Sequence, residues 1–237
     1  MVRKYDPGLV MYLPFFEGSG SIAHDVTQYG NNGTINGASW VDTGDPKLGY
    51  ALSFNGESDY VEVPHDDSLV MENELTLEAY VKFNSVSGEQ WFIFNNFVGN
   101  EYGIGKTDTD YLIMAVTLSD SGWTTLIGTT TKLVADVWYH IVGTYNSSDG
   151  MRIYINENLE GNLSANESLA SANSNPLYIG CKDFWGVTSV LNGMISRVRI
   201  YNRTLTQAEI TRLYRLGYIR YASIPSIVHS LNLKGWQ

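Results

Sequence analysis

Between Leu52 and Phe83 the chain changes side-chain character at every second residue, and that period commits it to a sheet. Leu52 and Phe54 alternate with Ala51 and Ser53 until Asn55-Gly56-Glu57-Ser58-Asp59 interrupts with turn chemistry. Val61 and Val63 alternate with Tyr60 and Glu62, and Pro64, which has no N–H for a ladder, closes that strand. After a polar loop, Leu77, Ala79, Val81 and Phe83 make one face of a longer strand, and Thr76, Glu78, Tyr80 and Lys82 make the other. One apolar and one wettable face belong to a sheet packed on one side.

The same period recurs along the chain. Leu9–Leu13 reads as a first strand, and the Gly- and Asn-rich run from Ala23 to Gly37 reads as a folded loop with a short strand over Gly33–Ile35. Tyr111–Leu118, Trp123–Thr130, Leu177–Gly180 and Gly193–Tyr201 are further strands. Val137–Tyr145 and Met151–Asn156 form a hairpin across Asn146–Gly150. About a dozen short strands without alternating helices predict a sandwich. One helix is signalled near the end: Thr206 caps it, Glu209 follows three residues on, Leu205 and Ile210 make a hydrophobic staple, and Gly217 ends it. Residues 1–217 therefore read as one all-β domain. The apolar tail 218–237 reads as packing on that domain or leading to a neighbour.

Several of these stretches resemble the laminin-G-like family within the concanavalin A-like lectin and glucanase superfamily. The similar segments are FNGESDYVEVP with LTLEAYVK, the run from Glu17 to Gly37, WYHIVGTY at Trp138–Tyr145, and the closing ISRVRIYNRTLTQAEI. The resemblance implies a two-sheet antiparallel jelly roll with one short C-terminal helix. It also implies calcium or carbohydrate binding as family functions. Fold alone does not supply a function.

Composition removes some classes. The formal net charge is −10, and an acidic surface repels nucleic acid. No run of ~18 apolar residues offers a membrane span. Cys181 is the single cysteine, so no intrachain disulfide forms and no cysteine-rich metal site exists. No basic-then-apolar leader opens the chain, and five Asn-x-Ser/Thr sequons begin at Asn32, Asn146, Asn162, Asn166 and Asn202. The expected setting is a module of a longer secreted, cell-surface or virion protein.

Catalysis finds little to stand on. The glucanases of the resembling superfamily carry E-x-D-x-x-E on one strand; that spacing occurs here only at Glu57–Glu62, where Glu57-Ser58-Asp59 belongs to the turn before the strand, so Glu74 and Glu78 are the nearest pair on one strand. His24, His65, His140 and His229 show no zinc spacing. Calcium is the better metal expectation, because loops rich in Asp, Asn and carbonyls supply hard oxygens. Asp25, Asn31, Asn32 and Asp59 are the candidate ligands. A further aspartate of the family, in I-D-x-V-R-I-Y, is Ser196 here, which removes one charged ligand.

Sugar sites pair aromatic faces with side chains that hydrogen-bond hydroxyls. The rings least explained by core alternation are Tyr80, Trp91, Tyr102, Trp123, Phe184 and Trp185. Glu78, Tyr154 and Arg199 are expected to share a polar sheet face with them. The expected function is non-catalytic recognition of a glycan or glycosylated surface. A structural protein–protein module without a sugar site is the alternative, and a glycoside hydrolase or lyase is third.

Overall fold

The structure is a computed structural model in which residues 6, 8–46, 48–95, 102–170, 174–183 and 187–216 are described. The strands run in order as β1 (Leu9–Leu13), β2 (Ile22–Ala23), β3 (Gly33–Asn36), β4 (Ser39–Asp42), β5 (Tyr50–Asn55) and β6 (Tyr60–Val63). Next come β7 (Glu74–Phe83), β8 (Gln90–Asn95), β9 (Tyr102–Lys106), β10 (Leu112–Leu118), β11 (Gly122–Ile127) and β12 (Trp138–Asn146). The last are β13 (Gly150–Ile155), β14 (Asn158–Leu163), β15 (Leu177–Ile179), β16 (Lys182–Asp183), β17 (Val187–Thr188) and β18 (Asn192–Tyr201), followed by helix α1 (Gln207–Leu216).

Two antiparallel sheets stack into the expected sandwich. The first has the order β14-β13-β12-β7-β18-β5-β4, with β1 also pairing β18. The second has the order β11-β10-β9-β8-β15-β6-β3-β2, and β16 with β17 makes a small separate hairpin. The period of two decides what lies between the sheets. Leu75, Leu77, Ala79, Val81 and Phe83 of β7 join Phe92 of β8, Ile104 of β9, and Leu112, Met114 and Val116 of β10 in one core.

Helix α1 starts as its sequence predicts. The Glu209 N–H donates to Thr206 Oγ1 at 3.3 Å, and the Thr206 N–H donates to Glu209 Oε2 at 2.8 Å, a reciprocal cap. Leu205 and Ile210 are buried together against Val142, Tyr154 and Tyr201, with Leu213 packed alongside. The helix therefore lies on the outer face of the first sheet.

Of the strands that the sequence reading did not expect, β9 and β14 escaped for identifiable reasons. In β14 the one buried position is Glu160, whose carboxylate accepts from Thr131 N at 2.7 Å and Thr131 Oγ1 at 2.8 Å, so no apolar alternation marks the strand. In β9, the two glycines of Tyr-Gly-Ile-Gly-Lys leave no side-chain alternation to read, because both are floor positions beneath aromatic rings. A methyl group on Gly103 would lie 2.6 Å from the Phe94 ring, and one on Gly105 would lie 3.0 Å from the Trp91 ring. The predicted tail 218–237 lies outside the described residues.

Candidate functional site

The two sheets turn very different outer faces away from the core. On the first, Arg199 of β18 stands directly opposite Glu78 of β7. Its Nη1 donates to Glu78 Oε1 at 2.7 Å and to Oε2 at 2.6 Å. His140 Nε2, one strand over, lies 3.0 Å from Glu78 Oε1. Burial alone would push the Glu78 carboxyl up, since its residue is only 1 % exposed; the Arg199 charge and the His140 hydrogen bond override this and bring it down to about 2. An ionised carboxylate only accepts, so the hydrogen lies on His140 Nε2. The Arg199 guanidinium also rests 4.1 Å from the centre of the Tyr12 ring.

Helix α1 closes over this group. The Tyr80 hydroxyl donates to the carbonyl of Tyr214 at 3.1 Å, and the Tyr214 ring stacks on His140 with centroids 5.8 Å apart. Tyr154 is buried in the same interface. Glu78, Tyr80, Tyr154 and Arg199 do share one sheet face, as expected, but that face is sealed, and it is not the face that carries the tryptophans. Nor does the structure set up glycosidase chemistry here. Glu74 Oε2 accepts from Thr204 N at 2.6 Å, and Glu78 is locked ionised against arginine, the wrong state for a general acid.

The second sheet's outer face is aromatic. Trp91 and Phe94 of β8 lie edge to face with centroids 5.0 Å apart, and Trp123 of β11 meets Phe94 at 6.3 Å. Gly103, Gly105 and Ala115 supply the low floor between them, which lets rings from non-adjacent strands converge. Trp91 and Phe94 are three residues apart and share a face only because the β8–β9 pairing carries a bulge between Trp91 and Ile93. Trp123 is 42 % exposed and is the ring this face offers to solvent. Tyr178 and Tyr60, in edge-to-face contact at 5.7 Å, continue the aromatic band toward β6.

Lys182 of β16 reaches over this cluster. Its Nζ lies 5.1 Å from the Trp91 ring centre, 5.4 Å from Phe94 and 5.6 Å from Trp123. Among the described residues its three N–H donors meet no hydrogen-bond acceptor and no carboxylate. Of the predicted rings, Trp91 and Trp123 thus come together. Tyr102 instead points into the core, where its hydroxyl donates to Leu69 O at 2.9 Å. Phe184 and Trp185 lie outside the described residues. Phe94 and Lys182 were missed: the bulge hid the first, and the second is a lone cation in sequence that only the fold brings over three rings.

The candidate calcium ligands fall into two loops. Asp25 Oδ1 accepts from the Tyr12 and Thr27 N–H groups, both at 2.9 Å, and Oδ2 accepts from Thr27 Oγ1 at 2.7 Å and Asn31 N at 2.8 Å. Four donors fill the lone-pair directions of one carboxylate. Asn31 gives its amide hydrogens to Val10 O and Ser68 Oγ, and Asn32 Oδ1 takes the Asp25 N–H. Asp59 Oδ2 accepts from Asn55 N at 3.0 Å in a separate turn. Among the described residues no group of three or more His, Cys, Asp or Glu is placed to hold a metal ion. As arranged, these four residues do not fit calcium: Asp25, Asn32 and Asp59 pin loops by accepting backbone hydrogen bonds, and Asn31 by donating from its amide.

Comparison with known proteins agrees with the architecture. No curated protein sequence matches the chain significantly. Among solved structures, the binding domain of Paraclostridial Mosquitocidal Protein 1 superposes with a TM-score of 0.69 at 18% identity, over 87% of this chain and 52% of that one. Domain 4 of AbnA, a GH43 extracellular arabinanase from Geobacillus stearothermophilus solved with arabinotriose, gives 0.68 at 20% identity, over 87% of this chain and 98% of that domain. The binding domain of botulinum neurotoxin DC, solved with rat synaptotagmin II, gives 0.63 at 13% identity over 89% and 52%. The chain spans about half the length of the toxin binding domains it matches, and at these identities the likeness shows the fold. The Laminin_G_3 profile, described as the concanavalin A-like lectin/glucanases superfamily, matches residues 55–211, and the chain belongs to that family.

Proposed function

We propose that this domain is a non-catalytic carbohydrate-recognition module that binds a glycan or glycosylated surface across the outer face of β8–β11. One observation carries the reading: Trp123 shows 42 % of its surface to solvent while Phe94, Trp91 and Lys182 hold its surroundings in place. An indole backed in this way is pre-organised to stack on the C–H patch of a sugar ring, so little side-chain freedom is lost on binding. Thr125 lies exposed beside it on the same face and supplies a hydroxyl partner. The arabinotriose complex of the structurally similar arabinanase domain supports a sugar ligand for this architecture. Secretion or surface display is the setting that goes with such a ligand, and calcium is not required for it.

Calorimetric titration of the domain and its Trp123→Ala variant against a panel of soluble oligosaccharides tests the reading. Binding by the parent, weakened about ten-fold or more in the variant with an unchanged melting temperature, supports it. No binding to any member of a broad panel sinks it.

A protein ligand is the second reading, and a different observation favours it. Ile127 of β11 and Leu159 and Leu163 of β14 are exposed on the edge strands of the two sheets, which lie against each other on one side of the sandwich. Apolar side chains along adjacent open edges suit an extended or sheet-adding partner. A charge substitution at Leu163 that abolishes partner capture while sparing glycan binding would favour this reading.

A further inference from the structure

The position of Lys182 goes further than the stacking platform and specifies a ligand class. Arg152, Arg199, Arg203 and Lys106 each sit against a carboxylate, as expected in a chain with 25 acidic and 15 basic residues. Lys182 does not. Its ammonium is held over three π faces and, among the described residues, has no acceptor for its hydrogens. Cation–π attraction fixes the charge in space without satisfying its hydrogen-bonding capacity, because ring faces attract a cation while leaving donors unused.

We propose that the Trp123 face selects sugars carrying an anionic group, a carboxylate or a sulfate, and that Lys182 is the specificity-determining residue. The inference rests on the carbohydrate reading above. A sugar seated on the exposed indole has the Lys182 ammonium at its margin, within the span of the ring's substituents. An anionic substituent there accepts a charge-assisted hydrogen bond, stronger than one to a neutral hydroxyl. The rings beneath exclude water from one side of the pair and so raise its worth. The platform supplies affinity for sugars in general, and the lysine discriminates among them. The chain's net charge of −10 opposes anions at long range, so attraction is confined to this spot and anionic polymers without the right ring are rejected.

The test is a glycan array of neutral, uronate-bearing, sialylated and sulfated oligosaccharides, probed with the parent domain and with Lys182→Gln, Lys182→Arg and Trp123→Ala. The expected result is binding confined to anionic members. Lys182→Gln should weaken it at least ten-fold, Lys182→Arg should retain it, and Trp123→Ala should remove it. The uronate and sulfate arms then show which anion is taken, and methyl-esterifying a bound uronate should mimic Lys182→Gln. Binding of neutral sugars that depends on Trp123 but not on Lys182 overturns the selectivity and leaves the carbohydrate reading standing. Silence across the array overturns both. Equal melting temperatures for parent and Lys182→Gln guard against a folding defect.

Discussion

The two outer faces carry the same kinds of group, rings and cations, and treat them oppositely. Beneath α1, Arg199 and His140 both meet the buried Glu78 carboxylate, so the opposite charges pair within the molecule. Across the sandwich, Lys182 hangs over Trp91, Phe94 and Trp123 and meets no acceptor among the described residues, and Trp123 faces solvent. A buried charge group whose opposite charges pair within the molecule marks architecture. A charge held in place but left incomplete marks a surface awaiting something.

The largest effect that should separate the faces comes from Arg199→Met. It strands the Glu78 carboxylate in the interior and should cost about 3–5 kcal/mol in urea unfolding, against less than about 1 kcal/mol for Lys182→Gln. Comparable costs at the two cations would break the comparison. Acid sharpens it further. Glu78 is depressed from 4.5 to about 2, so the stability it lends is complete above pH 4.5 and disappears as pH falls through about 2. Glu78→Gln should flatten that slope in melts taken over the same interval.

Gly103→Val tests the aromatic side. The added methyls meet the Phe94 ring and the Ile93 carbonyl, and overpacking of this kind should cost about 1–3 kcal/mol while disturbing Trp123-dependent binding. A variant of parental stability with intact binding would show that the glycine floor is not what places the rings. Thr206→Ala removes the cap of α1 and should cost about 1 kcal/mol, loosening the cover over His140 without touching glycan affinity. The smallest expected effect is from calcium: melting temperatures in excess calcium and in chelator should coincide, because Asp25 already has four donors. A clear rise with calcium would reopen the loop site.

Where side-chain period tracked burial, the fold could be read directly. β7 shows its core face as Leu77, Ala79, Val81 and Phe83, and α1 announces itself through Thr206, Glu209, Leu205 and Ile210. Reading stopped where burial and polarity part company. Glu160 is the inward residue of β14, and Glu78 is buried beneath a helix, although both look like solvent-facing carboxylates in sequence. The site was half legible. Trp91 and Trp123 were recognisable as surplus rings, but the bulge that turns Phe94 toward them and the crossing that brings Lys182 over all three exist only in three dimensions. Glu78, Tyr154 and Arg199 were expected to share a face with the rings and share it with Tyr80 but not with the tryptophans, since a period of two says which residues share a face and not which of two sheets faces outward uncovered.

Strand β18 sits between β7 and β5 in the first sheet and also holds β1, so three of its neighbours precede it by more than a hundred residues of chain. During synthesis β1, β5 and β7 all emerge long before the segment that joins them. Until Asn192–Tyr201 leaves the ribosome the first sheet exists as separate parts with raw edges, and such non-local pairing makes folding slow and the nascent chain sticky. Chains truncated ahead of Asn192 should accumulate as aggregates, however well their remaining strands are formed.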